Sequence, residues 1–405
     1  MKYVVILGDG MADEPIESLG FKTPLDVAHK PTIDRLARLG EVGLVNTIPE
    51  GMKPGSDTAN LSVIGYDPKI YYTGRSPLEA VSMGIEMLDD DICYRCNIIA
   101  ISEDEIAYED KTVIDHSADE ISTKEAGVLL EAIQEAFGNA YKTFYPGVSY
   151  RHALIWKKGS VDVNLVPPHD ILERRIGDYI PTGDHAEEIY DMMKTSYEIL
   201  NHHPINEDRR RRGLRPANSI WIWGEGKKPI LTSFEEKFGK KGVMVSAVDL
   251  LKGIAISAGM RSVDVVGATG NMHTNYEGKV EAVLQALADD CDFAYIHLEA
   301  PDECGHRGET DNKVISIEQL DDRVVKLMEI GLKSLGEPYR IMILPDHPTP
   351  INYRTHTSTP VPYIIYDSTD DTRGSGVGYS EKLAESTGVY KGVGHDLMKQ
   401  FLQVD

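Results

Sequence analysis

Cysteine is scarce in this 405-residue chain and badly placed for crosslinking: there are four, Cys93, Cys96, Cys291 and Cys304. Cys93 and Cys96 form a lone Cys-x-x-Cys with no second pair and no thioredoxin-like surroundings. That excludes a disulfide scaffold or a four-cysteine zinc module and leaves ordinary reduced thiols. No apolar run approaches the roughly 20 residues needed to cross a bilayer. Met1-Lys2 opens directly into a core strand, with no basic-then-apolar leader, so a cytoplasmic protein away from membranes is expected. Positive charge is short: 42 Lys and Arg face 65 Asp and Glu, for a formal net charge of −23. Such a chain is no nucleic-acid surface, and it repels an anionic substrate unless cations or basic residues are gathered locally. Two nucleotide signatures are missing as well. Gly8-Asp9-Gly10 lacks the further glycine and helix of a dinucleotide fingerprint, and Gly226-Lys227-Lys228 lacks the spacing and the following Ser/Thr of a P-loop. There is no internal repeat and no low-complexity segment.

What is present is globular: 41% hydrophobic and 26% charged residues, in a chain long enough for two domains. Apolar runs at 3–7, 42–45, 243–248, 263–266, 293–298, 341–344 and 361–366 predict strands. Periodic segments at 31–39, 249–257, 279–288, 313–334 and 396–402 predict helices between them, the first ending on Gly40 as a C-terminal cap. This alternation predicts an α/β fold with a mostly parallel sheet flanked by helices. From about residue 75 to 240 the texture changes, with strands at 93–101, 148–156 and 220–223 and helices at 123–137 and 192–200. Histidine and arginine concentrate there: His116, Arg151, His152, His169, the run Arg209 to Arg212, and Arg215. In so acidic a chain that points to a place where a substrate anion is gripped. Most of the arginine run reads as a solvated helix end, with Arg215 better placed to face a cleft.

In open α/β sheets the reactive groups gather beyond the carboxyl ends of strands. The strand at 341–344 ends on Asp346-His347, and His356 follows. The strand at 293–298 runs into Asp302 and His306, four apart, so one helical turn aims both at the same ion. The first strand exits at Asp9, between Gly8 and Gly10. Each of these residues alone is ordinarily structural. Together, the six donors Asp9, Asp302, His306, Asp346, His347 and His356 suit two divalent cations, Mn²⁺ or Zn²⁺ ahead of Mg²⁺, which takes fewer imidazoles. Two such ions clamp both oxygens of a displacement at phosphorus. Ser56 follows a Pro/Gly-rich loop and opens a helix-compatible segment. Read locally it is an N-cap serine; beside paired cations, at a helix end that attracts phosphate, it is a candidate nucleophile.

Four ordered motifs carry a resemblance: Gly8-Asp9-Gly10-Met11-Ala12-Asp13, Pro54-Gly55-Ser56-Asp57-Thr58-Ala59-Asn60-Leu61-Ser62, Pro301-Asp302-Glu303-Cys304-Gly305-His306 and Pro345-Asp346-His347-Pro348-Thr349-Pro350. They resemble the cofactor-independent phosphoglycerate mutases, in their archaeal-type branch within the alkaline phosphatase superfamily, essentially end to end. The resemblance implies a phosphatase-like catalytic domain from residues 1–75 and 241–405, with 76–240 as an inserted, smaller α/β (α+β) phosphotransferase domain. It implies Ser56 as the nucleophile that becomes phosphoserine. It implies Asp9, Ser56, Asp346 and His347 as ligands of one metal, and Asp302, His306 and His356 as those of the other. His116, Arg151, Arg212, Arg215 and Lys252 are similar in position to groups that bind a small phosphorylated substrate; His169 is a further candidate without a role. The implied reaction is a double displacement that interconverts 3-phosphoglycerate and 2-phosphoglycerate, with the insert excluding water. The Ile220-Trp221-Ile222-Trp223-Gly224 stretch also resembles bacterial members proposed to be ATP-dependent homoserine kinases of threonine biosynthesis. That activity is the alternative, ahead of a metal-dependent phosphomonoesterase and of a non-catalytic metal-binding scaffold.

Overall fold

The computed structural model describes residues 1–370, 372 and 374–404. The chain divides into two compact units, one made of Met1–Tyr72 and Ile230–Asp405, the other of Thr73–Pro229.

In the first unit eight strands form one sheet. They are numbered here β1 (Lys2–Gly8), β2 (Glu41–Val45), β3 (Gly242–Val245), β4 (Arg261–Val263), β5 (Phe293–Leu298), β6 (Tyr339–Leu344), β7 (Val361–Asp367) and β8 (Tyr390–Lys391). The order across the sheet is β4-β3-β5-β1-β6-β7-β2-β8. Only β7 runs against its neighbours, pairing antiparallel with both β6 and β2. The fold is thus mixed α/β, with a large, mostly parallel sheet flanked by helices. The central strands are buried along almost their whole length and predominantly apolar, as strands covered on both faces are. Val4 and Ile6 of β1, Ala294, Ile296 and Leu298 of β5 and Ile341 and Ile343 of β6 belong to one core, with Val283 and Leu287 of the helix Tyr276–Asp289 and Leu320, Val324 and Met328 further along.

Register puts the site together. Leu7 stands opposite His297 on one side and Leu344 on the other, so the three central parallel strands finish level. Their exits deliver Asp9, the segment leading to Asp302, and Asp346 to one edge of the sheet.

The segment expected as a single helix at 313–334 is three: Thr310–Leu320, a π-helical stretch Asp321–Val325, and Lys326–Leu335. The wider turn presents the buried Asp321 carboxylate to the N–H groups of Ile33 (2.6 Å) and Thr32 (3.3 Å), at the start of the helix Pro31–Leu39. That helix ends at Gly40 with φ −110°, so its glycine is no left-handed cap. It is required because a Cβ there would lie 2.5 Å from the Ile365 carbonyl oxygen. The strand expected at 263–266 stops at Val263. Residues 230–240 pack in the first unit: Phe234 stacks on Phe293 of β5 at 4.5 Å between centroids, and Phe238 meets Tyr66 edge-on.

The second unit is built on an antiparallel sheet. Asp91–Ile101 is its central strand, paired with Arg151–Lys157, Ser219–Lys227 and Val113–Asp115, with Lys142–Tyr145 beyond. The amphipathic helices Thr123–Phe137 and Ala186–Leu200 contribute Leu129, Ile133, Met193 and Leu200 to its core. Ser122 caps the first of them, its hydroxyl accepting from the Glu125 N–H. Among the described residues no helix is long and apolar enough to cross a membrane.

Candidate active site

Ser56 is the first residue of the helix Ser56–Val63, whose N-cap position falls on Gly55. Its hydroxyl makes no capping bond. Instead Oγ lies 3.1 Å from His347 Nε2. One turn on, the Asn60 amide donates both to the Ser56 carbonyl and to Asp346 Oδ2, each at 2.8 Å, and Tyr295 of β5 donates to Asn60 Oδ1 at 2.5 Å. A buried chain of bonds therefore ties the serine to the carboxylate at the end of β6.

Asp346 is fully buried and has its Oδ1 taken by the N–H groups of Gly10 (3.2 Å) and His347 (2.9 Å). Asp9 Oδ1 approaches His347 Nε2 at 3.6 Å, and Asp346 Oδ2 approaches the same nitrogen at 3.4 Å. Burial, and then the neighbouring Asp346 and Asp302 charges, push the Asp9 carboxyl well above the usual carboxylate range. Burial pulls His347 below the usual imidazole range.

The second half of the site adjoins the first. Asp302 lies on the helix Ala300–Arg307, with Oδ2 3.3 Å from His306 Nε2 and Oδ1 3.4 Å from His356 Nε2. The two imidazole Nε2 atoms are 2.9 Å apart, and the His347 and His356 ring centroids lie 4.0 Å apart with the rings tilted by 33°. Donor atoms of Asp9, Asp346 and His347 all lie within 4.8 Å of one another, as do those of Asp302, His347 and His356. His347 is common to both groups, and His306 joins the second through its contacts with Asp302 and His356. The structure brings together all seven residues expected here as nucleophile or metal ligands.

Hydrogen-bond partners fix where the lone pairs point. Thr349 Oγ1 donates its one hydrogen to Asp302 Oδ1, so at His347 Nδ1, 3.3 Å away, it accepts. His347 Nε2 is then a lone pair, facing Ser56 Oγ and two carboxylate oxygens. His306 Nδ1 likewise donates to the Arg354 carbonyl at 3.0 Å, turning its Nε2 lone pair toward Asp302 and His356. Electron-rich atoms so arranged repel unless positive charge stands among them. A proton is one such charge: the hydrogen bond to Asp302 pushes His306 up to about 9. At Asp302 burial works the other way, but the bonds to His306 and His356 outweigh it and hold the carboxyl well below its usual range. Divalent cations are the other, and the mixed oxygen and nitrogen donor set fits them. Asp9 Oδ1 is buried without a hydrogen-bond partner, as an atom reserved for a cation should be.

Gly10 makes the cradle possible. Its φ is +60°, and a Cβ there would lie 2.5 Å from Thr349 Oγ1 and 2.7 Å from Asp302 Oδ1. Behind it, the fully buried Lys313 donates to Asp13 Oδ2 (2.8 Å), the Thr349 carbonyl (2.9 Å) and the Ala12 carbonyl (3.2 Å). This ties the turn after β1 to the turn after β6. Gly10 is legible in the sequence as the flank that turns the chain after Asp9, whereas Asn60, Tyr295, His297, Lys313 and Thr349 escape a reading of it. Of these, Asn60 and Thr349 carry a signal through their places in the Ser56 and His347 motifs.

The residues expected to bind substrate are more dispersed. Lys252 pairs with Asp264 (2.7 Å) and Asp249 (3.7 Å). Within the second unit Arg212 is held by Glu125 and Asp208, and Arg215 by Asp115 (2.9 Å) and Asp119 (3.2 Å). His116 meets Tyr150 and His169 edge-on, and Arg151 lies over the Tyr150 ring. His169 also meets Trp223, on which Arg95 stacks at 4.7 Å. His116, Arg151 and His169 thus share one aromatic, basic cluster that Arg212 and Arg215 do not join.

A family model described as 2,3-bisphosphoglycerate-independent phosphoglycerate mutase matches residues 37–206. A probable 2,3-bisphosphoglycerate-independent phosphoglycerate mutase of Geobacter sulfurreducens is 47% identical over 99% of this chain and 100% of its own. An enzyme of that name from Methanothrix thermoacetophila is 48% identical over 91% of both. Among solved structures, a Pyrococcus horikoshii protein superposes with a TM-score of 0.80 at 29% identity, covering 99% of this chain and 97% of its own. The cofactor-independent phosphoglycerate mutase of Thermoplasma acidophilum does so with a TM-score of 0.66 at 26% identity, covering 100% and 99%. With relatives this similar spanning nearly its whole length, and with a serine and paired donor groups converging at the strand exits, the chain belongs to the 2,3-bisphosphoglycerate-independent phosphoglycerate mutase family.

Proposed function

We propose that the chain interconverts 3-phosphoglycerate and 2-phosphoglycerate through a phosphoryl group carried on Ser56. The observation that carries this reading is Ser56 Oγ standing 3.1 Å from the His347 Nε2 lone pair, at a helix N-terminus that favours an anion. Asp9, Ser56, Asp346 and His347 would hold one divalent cation, and Asp302, His306 and His356 a second. Mn²⁺ suits this donor set best, with Zn²⁺ and Mg²⁺ as the alternatives. Bound there, the cations would lower the pKa of the serine hydroxyl and neutralise phosphate charge.

Ser56 gives up its hydroxyl proton, and its Oγ forms a bond to phosphorus as the bond to the 3-oxygen of the substrate breaks. That oxygen departs with a proton as the 3-hydroxyl of glycerate. The 2-hydroxyl then loses its proton and takes the phosphoryl group, and Ser56 is reprotonated. Asn60 keeps the serine backbone and the Asp346 carboxylate in register throughout. We assign the substrate carboxylate to Arg151 and His116, since an arginine fork matches a carboxylate bidentately. A role for Arg212, Arg215 or Lys252 requires them first to release the acidic partners they hold. The test is to incubate purified protein and Mn²⁺ with 3-phosphoglycerate, or with homoserine and ATP, following products by phosphorus NMR. Formation of 2-phosphoglycerate supports the reading; phosphohomoserine with no 2-phosphoglycerate overturns it in favour of the kinase.

A further inference from the structure

Strand β5 has two chemically different faces. Ala294, Ile296 and Leu298 point into the apolar core, while Tyr295 and His297 alternate onto the other face and take part in polar networks. The Tyr295 arm reaches Asp346 through Asn60. His297, fully buried, reaches Asp9 directly: its Nε2 lies 2.8 Å from Asp9 Oδ2. On the other side of the ring Nδ1 lies 3.1 Å from Ser246 Oγ, one residue beyond β3. Ser246 Oγ already accepts the Val248 N–H at 3.0 Å, so its single hydrogen is available for His297 Nδ1. With Asp9 ionised as a cation ligand its carboxylate can only accept, so the ring hydrogen sits on Nε2 and is donated to Asp9, and Nδ1 accepts from Ser246. The strand backbone is fastened at the same point, where the buried Lys279 ammonium donates to the His297 carbonyl at 3.1 Å. One consequence is visible in Asp9 itself. Oδ2 is taken by the imidazole, and Oδ1 is left buried with no hydrogen-bond partner, 3.6 Å from His347 Nε2.

We propose that His297, oriented by Ser246, is a positioning residue that makes Asp9 a single-oxygen cation donor, holding Oδ2 aside and presenting only Oδ1. The proposal rests on the reading of Asp9 as a cation ligand. Groups that bond a ligating carboxylate from behind act on affinity as much as on activity, because they set its orientation before the ion arrives. A one-oxygen carboxylate among a few mixed oxygen and nitrogen donors fits Mn²⁺ or Zn²⁺ better than Ca²⁺, which needs six to eight oxygen ligands.

The test is calorimetric titration of the metal-stripped full chain with MnCl₂, for wild type, His297→Ala, His297→Gln and Ser246→Ala, alongside the melting temperature of each without metal. Wild type should bind two equivalents. His297→Ala should weaken one of the two by about 10–100-fold and leave the other alone. His297→Gln, whose amide N–H takes the place of Nε2–H, should recover to within about threefold of wild type. Ser246→Ala, which leaves the ring free to change tautomer, should weaken the same site by at least about threefold. Wild-type Mn²⁺ affinity in His297→Ala would overturn the proposal, and so would equal weakening in the Ala and Gln variants. If His297→Ala does not fold, an unchanged affinity in Ser246→Ala overturns it and a weakened one with His297→Gln recovered sustains it. Failure of wild type to bind Mn²⁺ would instead overturn the reading of Asp9 as a ligand, a result distinct from all of these.

Discussion

At Ser56 the hydroxyl has no capping duty to lose: the N-cap position falls on Gly55 and the serine side chain faces His347. Ser56→Ala should therefore fold normally and retain Mn²⁺, yet lose turnover of 3-phosphoglycerate by on the order of 10³-fold or more, as removal of a nucleophile does. Steady-state assays and metal content on the same sample check it; loss of stability with activity retained would return the serine to the plain capping role. At His306 the sign of a pH effect follows from its partner. The hydrogen bond to Asp302 raises the imidazole to about 9, so below that value a proton must leave before a cation is ligated. Affinity for the Mn²⁺ held by Asp302, His306 and His356 should rise by roughly tenfold per pH unit between pH 6.5 and 8.5 and level off near 9. Titrations across that range should show the slope, and His306→Gln should flatten it.

The turns behind the strand exits matter as much as the ligands they carry. Gly10 is held at φ +60° with Thr349 and Asp302 packed where a Cβ would go. Gly10→Ala should cost about 1–2 kcal/mol from backbone alone. It should also weaken Mn²⁺ binding by about tenfold or more by displacing Asp302. Differential scanning calorimetry with and without metal separates the two effects. Lys313 and Asp13 form an ion pair with no exposed surface on either side chain. Lys313→Met would strand a buried carboxylate and should lower unfolding free energy by about 3–5 kcal/mol in a urea titration. The element scale also explains what a sequence reveals. Asp9, Asp302 and Asp346-His347 were legible because each lies within a few residues of the end of an apolar run, and Ser56 because glycine and proline precede a helix. His297 was not: it lies inside an apolar run, where its burial argues for a core residue and only the register of β5 against β1 shows its carboxylate partner. Nor was the π-helical turn at Asp321–Val325, since the buried residues that span it, Leu320, Val324, Val325 and Met328, keep the spacings of three and four that an α-helix shows.

Over the whole molecule, the formal charge of −23 and the cluster of acidic and imidazole donors belong to one account. A chain this acidic attracts cations and repels phosphate esters, so cations at the strand exits would both steady the fold and admit the substrate. Saturating Mn²⁺ should therefore raise the melting temperature and excess chelator reverse it, each occupied site contributing about 2.7 kcal/mol at a hundredfold excess over its dissociation constant. The layout of the first unit was readable from alternating strands and helices, whereas its return point was not. Residues 230–240 look like part of the insert until Phe234 and Phe238 are seen packing on Phe293 and Tyr66. The acidic partners of Arg212 and Arg215 were not readable either, because they lie far away in sequence, at Glu125 and Asp115. The most direct measurement is anomalous scattering from crystals soaked in MnCl₂, recorded at the manganese edge. Two peaks are predicted, one amid Asp9, Ser56, Asp346 and His347 and one amid Asp302, His306 and His356. A map with no peak at these donors, or with its manganese elsewhere on the acidic surface, would contradict the account.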